Sequence, residues 1–221
     1  MAIDKSRTSP WMKAVLIIII VAFVASLVAF VPASLTGNNT TTPTTGTGQG
    51  SAVDQAAQRY APAAQALESQ LASDPESYTA MVNLGNLYVD WGGELQQASQ
   101  TSSAAALAAV PIWRAAKNLY GDALAIKQGE APVEGNYALM LYYTGETDEA
   151  IKWGLLAVKS DPKLVPAWLN LGNFYSAKGD AANAKKAWAE VVKIAGATSD
   201  QGKQAQQLID GLGTTAATTT P

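Results

Sequence analysis

Residues 82–92 (VNLGNLYVDWG) and 169–180 (LNLGNFYSAKGD) share the pattern N-L-G-N-x-Y. Internal repetition of this kind outranks any other fold signal, because a chain built of stacked copies cannot be read as one globular pattern.

The shared stretch resembles the first helix of a tetratricopeptide repeat (TPR), a helical hairpin of about 34 residues. Its pattern asks for a large residue at position 4, Leu at 7, Gly or Ala at 8, Tyr at 11, Ala at 20, an aromatic at 24, Ala at 27 and Pro at 32. In the last copy, residues 165–198, Trp168, Leu171, Gly172, Tyr175, Ala184 and Trp188 take positions 4, 7, 8, 11, 20 and 24. One period earlier, over 131–164, Tyr137, Ala138, Ala150, Ala157 and Pro162 fall at 7, 8, 20, 27 and 32, while Leu141 replaces the tyrosine and Gly154 the aromatic.

The first copy, 78–130, keeps Leu84, Gly85 and Tyr88, but its second-helix signature arrives late. Position 20 is due at residue 97, and Ala116, Tyr120 and Ala123 instead supply positions 20, 24 and 27. The next repeat then starts in phase at 131, so an insertion sits between the two helices, at about 93–111. Its Ala run can extend the following helix and its Ser/Thr/Gln half reads as loop. Such an insert is either a binding element or a tolerated surface loop.

Ahead of the repeats, 52–73 reads as one helix, with Ala63, Leu67 and Pro75 in phase with the second half of a repeat. Behind them, 199–212 puts Ala205, Leu208, Ile209 and Leu212 on one stripe and Gln and Lys on the other, the polar-backed cap that an open solenoid needs. The resemblance implies an all-α TPR solenoid over 52–213, a right-handed superhelix of about eight helices. Residues 214–221 read as a disordered tail.

Residues 14–31 (AVLIIIIVAFVASLVAFV) carry no charge and nearly span a hydrocarbon core of roughly 30 Å. Lys5, Arg7 and Lys13 precede this run and no Lys or Arg follows until Arg59. The positive-inside bias therefore predicts a cytoplasmic N-terminus (1–13), a transmembrane anchor (14–32) and a TPR domain outside the plasma membrane of a prokaryote. A cleavable signal ending near Val31-Pro32-Ala33 is the alternative, disfavoured by the length of the run, and either reading exports the domain. Trp11 stands at the expected membrane boundary. The Thr/Gly/Pro-rich segment 33–51 reads as a flexible stalk.

The chain of 221 residues has no cysteine and no histidine. Disulfides, thiolate metal sites, a cysteine nucleophile and the commonest general base are thereby excluded. The 18 acidic residues are scattered and form no cation-binding loop, and the net charge of −3 offers no basic face to a nucleic acid. The expectation is a protein with no enzymatic activity, catalytic residue, metal, cofactor or small-molecule substrate.

In TPR proteins the first helices line a concave groove that holds a partner peptide or helix. The resemblance places Val82, Asn86, Val89 and Asp90 of the first repeat in that groove. It adds Leu139, Tyr142 and Tyr143 of the second, and Leu169, Asn173 and Ser176 of the third. Asn86 and Asn173 have two open roles, ligand contact or hydrogen bonding within the repeat. Leu141 holds the core position beside Tyr142 and Tyr143, so at least one of these adjacent rings faces the groove or solvent, or else one fills the gap left by Gly154. Val82, Gly135 and Asn170 stand where a two-carboxylate clamp would want cations, so that clamp is absent.

These features point to a membrane-tethered scaffold or assembly factor that binds a protein or peptide. In layout it is similar to the membrane-anchored TPR factors of cytochrome c maturation. The alternative is a self-associating structural subunit of an envelope complex.

Overall fold

The computed structural model of the chain describes residues 51–216, with side chains as far as Leu212. The expected cytoplasmic segment and membrane helix, all but the last residue of the stalk and the end of the tail lie outside the described residues. Among the described residues no helix is long and apolar enough to cross a membrane.

The described residues form eight helices and no strand: α1 (Ala52–Ser73), α2 (Tyr78–Ala98), α3 (Ser103–Ile126), α4 (Ala131–Tyr143), α5 (Thr147–Ser160), α6 (Val165–Ala177), α7 (Ala181–Ala195) and α8 (Asp200–Ala216). Each helix packs on the next, and α2 touches α4 as α4 touches α6. This is the nearest-neighbour stacking of a solenoid, with α2, α4 and α6 leading the three repeats and α3, α5 and α7 trailing.

Within a repeat, the two helices approach through a glycine that receives a ring. A Cβ on Gly85 would lie 2.9 Å from the ring of Tyr120, and a Cβ on Gly172 would lie 2.2 Å from Trp188 Nε1. Both rings are buried, and the Trp188 indole N–H donates to Leu169 O at 3.3 Å. The middle repeat reverses the arrangement. Gly154 takes the ring position of α5, and Leu171 and Phe174 of α6 fill its space, with a Cβ there meeting Leu171 Cδ1 at 3.1 Å. The gap at Gly154 is thus filled from the following repeat and not by Tyr142 or Tyr143.

The two regular turns within repeats are identical. Gly145 (φ 89°) and Gly179 (φ 82°) adopt the left-handed conformation that closes α4 and α6. Their amides donate to Tyr142 O and Ser176 O, and the following Glu146 and Asp180 amides donate to Leu141 O and Tyr175 O. The Asp180 carboxylate then caps α7 by accepting from the Asn183 amide at 3.0 Å.

The insert differs from its expected form. Glu94 to Ala98, expected as loop, complete α2, and the only break is at 99–102. The reason is that the apolar period continues on both helices: Trp91 and Leu95 of α2 and Ala105, Ala109 and Ile112 of α3 are all buried in one cluster. Ser99 and Thr101 hydroxyls donate back to Gln96 O and Ala98 O and end α2, and Ser102 caps α3 by accepting from the Ala105 amide. The glycine-and-ring device is repeated here too, since a Cβ on Gly92 would lie 2.2 Å from Trp113 Nε1.

Tyr143, the last residue of α4, stacks on Trp113 with ring centroids 4.3 Å apart, so α4 ends level with Gly92. Beyond that level α2 runs on through residues 93–98, about 9 Å at the helical rise. The α2–α3 hairpin therefore overhangs the second repeat.

Helix α1 backs this long hairpin, antiparallel to α2. Arg59 pairs with Glu94 at 2.6 Å, Tyr60 stacks on Trp91 at 5.9 Å, and the Tyr88 hydroxyl donates to Glu68 at 2.5 Å. The Trp91 indole N–H is buried without a hydrogen-bond partner, a cost set against the packing of its ring. Ala56, Ala64 and Leu71 are the buried residues of α1, with Leu67 half-buried and Ala63 exposed. The expected phase through Ala63 is thus one residue off, since Ala64 and Leu71 are the residues turned inward. At the other end Ala205 is buried and Leu208, Ile209 and Leu212 pack with Trp188 as expected, and α8 continues to Ala216 where a frayed tail was expected from 214.

The glycine-and-ring contacts make a sharp prediction. Gly172→Ala should destabilise the chain by about 1–3 kcal/mol through overpacking against Trp188. Gly93→Ala, with nothing within 4 Å of the new methyl, should stabilise it by about 0.5–1 kcal/mol. Urea unfolding followed by helical circular dichroism distinguishes the two, and equal effects would remove the contact from the account.

A second prediction concerns alkaline pH. Burial, reinforced by the hydrogen bond to Glu68, holds the Tyr88 hydroxyl well above its ordinary range, and burial does the same for Tyr120. Both groups keep their protons in the folded chain at a pH where the unfolded chain loses them. The stability they contribute is intact below about pH 10 and declines as pH rises beyond it. Unfolding free energy measured between pH 8 and 11 should fall on the alkaline side, and Tyr88→Phe should make that fall shallower.

Candidate functional site

The leading helices α2, α4 and α6 stand side by side, and on each the expected groove residues recur at helical spacing. Val82, Asn86 and Val89 do so on α2, Leu139 and Tyr142 on α4, and Leu169, Asn173 and Ser176 on α6. Apart from the exposed Asn86, these side chains are half-buried. They form a layer between the core and solvent, apolar with amide and hydroxyl groups interspersed. Asp90, one turn beyond Asn86, is exposed.

Asn86 is held within the fold. Its Oδ1 accepts from the Tyr120 hydroxyl at 2.7 Å and from Asn136 Nδ2 at 3.2 Å, and Asn136 Nδ2 also approaches the Tyr120 oxygen at 3.2 Å. This triad ties α2, α3 and α4 together. In the third repeat the ring at the same position is Trp188, whose polar atom is turned to a backbone carbonyl. No phenol reaches Asn173, which is half-buried on α6. The two asparagines thus share a motif position and differ in role, because the ring behind them differs.

The adjacent tyrosines diverge. Tyr142 packs towards the third repeat, 5.1 Å from Phe174 between ring centroids. Tyr143 turns back to the first repeat and covers Trp113, and it remains 39 % exposed. Tyr142 therefore lies between α4 and α6, whereas Tyr143 sits beneath the overhanging hairpin. Burial raises the Tyr143 hydroxyl above its usual range.

Ser176 opens onto a cleft of about 520 Å³ at the C-terminal end, bordered also by Gly179, Ala181, Trp188, Gln207, Leu208, Gly211 and Leu212. Leu208 and Leu212 were expected only as cap residues, yet they help form this cleft. Asn136 and Tyr120 are likewise absent from the expected groove set. Both occupy consensus positions, 6 and 24, so the signal was present as repeat identity but not as a partnership across three helices.

Charge is distributed unevenly. None of α2, α4 or α6 contains a Lys or Arg. Of their three carboxylates, Glu94 is paired with Arg59, and Glu134 is buried, accepting from the Gly129 amide at 3.0 Å and the Ser160 hydroxyl at 2.7 Å. Among the described residues no three His, Cys, Asp or Glu side chains gather closely enough to hold a metal ion.

No curated protein sequence matches the chain significantly. Among solved structures, the chain is similar to the first TPR of Spaghetti (RPAP3) bound to HSP90 peptide SRMEEVD. That match has 15% identity and a TM-score of 0.50, and covers 66% of this chain and 97% of that one. It is also similar to a tetratricopeptide repeat protein from Parabacteroides merdae, at 15% identity and a TM-score of 0.51, covering 75% of this chain and 62% of that one. A family model described as tetratricopeptide repeat matches residues 165–198. The chain thus carries a tetratricopeptide repeat at 165–198 within an all-helical TPR-like solenoid.

Proposed function

We propose that this protein is a membrane-tethered, extracytoplasmic scaffold or assembly factor that binds a partner polypeptide along α2, α4 and α6. The observation that carries this reading is the half-buried layer of Val, Leu, Asn, Ser and Tyr side chains that crosses three adjacent helices. A surface of that composition loses little on desolvation and offers amides to a peptide backbone. The tether rests on residues 14–31 and the cations before them. The absence of histidine and cysteine supports a binding role without catalysis.

One TPR neighbour is bound to the peptide SRMEEVD. Peptide binding is the general property carried over here, while the acidic end of that peptide has no cationic counterpart on α2, α4 or α6.

A second reading is favoured by the overhanging hairpin, whose α3 exposes Leu107 at 76% and Val110 at 40%. In that reading the chain is a self-associating subunit of an envelope complex.

A photocrosslinking residue placed at Asn173 of the full-length chain in native membranes should give a discrete heavier adduct. The same residue at Lys185, exposed on α7, should not. Equal adducts from both positions would sink the groove. Should the adduct contain only a second copy of the chain, self-association becomes the better reading, and Leu107→Lys should then lower the concentration-dependent mass in light scattering.

The tether has its own check. After an alkaline carbonate wash the full chain should stay with the membrane pellet, and a chain beginning at Ser51 should be released to the supernatant. Release of both would remove the anchor.

A further inference from the structure

We infer that the α2, α4 and α6 surface takes an apolar polypeptide segment bearing Lys or Arg, and disfavours acidic segments; this rests on the groove reading above. The sign follows from how charge is partitioned between layers. Every Lys and Arg among the described residues lies on α1, α3, α5, α7, α8 or a connecting turn. The cations that border the leading helices are already engaged: Arg59 pairs with Glu94 at 2.6 Å, Lys117 with Glu146 at 2.5 Å and Lys178 with Asp148, while Lys127 pairs with Glu130 and lies over the Tyr78 ring.

A carboxylate brought onto this surface would leave water without meeting a counter-charge. Desolvating an unpaired charge is unfavourable, so an acidic ligand loses affinity for every carboxylate it must bury. A cation fares differently. With Glu94 and Glu134 already engaged, Asp90 is the carboxylate that the leading helices present to solvent, one turn from Asn86. The Tyr142 ring, half-buried between α4 and α6, adds an aromatic face suited to an ammonium or guanidinium group. The remaining contacts, Val89, Leu139 and Leu169, are apolar and want the rest of the segment to be so.

The test uses full-length chain in detergent micelles and a pooled library of fluorescent 12-residue peptides with amidated C-termini. The library is apolar at alternate positions and made in three versions that differ only in carrying two Lys, two Gln or two Glu. At low salt the Lys version should bind about fivefold more tightly than the Glu version, the scale of one exposed charge pair, and added salt should narrow the gap. Asp90→Asn should bring Lys and Gln versions together, and Asp90→Lys should invert the order, with helical circular dichroism unchanged. Asn173→Arg should weaken the Lys and Gln versions.

If the Glu version binds as tightly as the Lys version and Asn173→Arg still weakens the Gln version, the groove stands and the inferred ligand class is wrong. If no version binds, or Asn173→Arg changes nothing, the groove reading fails and takes the inference with it.

Discussion

Much in this solenoid depends on how closely two helices of a hairpin can approach, and in the first and third repeats that distance is set by an aromatic ring resting on a bare glycine. Tyr120 on Gly85, Trp113 on Gly92 and Trp188 on Gly172 are the same contact made three times. Each ring brings a large apolar area into the core, and each glycine removes the one atom that would hold the backbones apart. The polar atoms of these rings then determine the neighbouring chemistry. The Tyr120 hydroxyl reaches forward to Asn86 and Asn136, whereas the Trp188 indole bonds to the backbone at Leu169. A choice made for packing in the trailing helix thus decides whether an asparagine on the leading helix is tied down.

Much of this was legible in the sequence. Gly85, Gly172, Tyr120 and Trp188 could be assigned by position, since a repeat prints its packing rule more than once. The stripe of Ala205, Leu208, Ile209 and Leu212 marked the last helix. The insert was harder, because Ser, Thr and Gln between 94 and 102 look like loop by composition, while Leu95 alone carries the apolar period far enough to keep α2 going. The phase of α1 was missed because Ala63 and Ala64 are the same residue type side by side, and only packing shows that Ala64 faces inward.

The candidate site was legible only in part. Motif positions place residues on a helix face, yet they do not report which neighbour a side chain turns to. Tyr142 and Tyr143 are one residue apart and pack against different repeats, a split produced by the helical rotation between them and by Trp113 lying within reach of only one. The Asn86–Tyr120–Asn136 triad brings together residues from three helices, and no single repeat contains it. Charge partition needed no structure beyond helix identity, since α2, α4 and α6 lack cations whatever their side-chain directions.

The middle repeat constrains the unit that can follow it. Arrays of this kind grow by duplicating or shuffling units, which works when any unit can follow any other. Here the unit that ends in Gly154 must be followed by one that brings Leu171 and Phe174 into the vacated space. A copy carrying an aromatic in place of Gly154 would collide with them, and a copy lacking the phenylalanine would leave a void. That glycine and that phenylalanine form a matched pair, so the second and third units are not interchangeable.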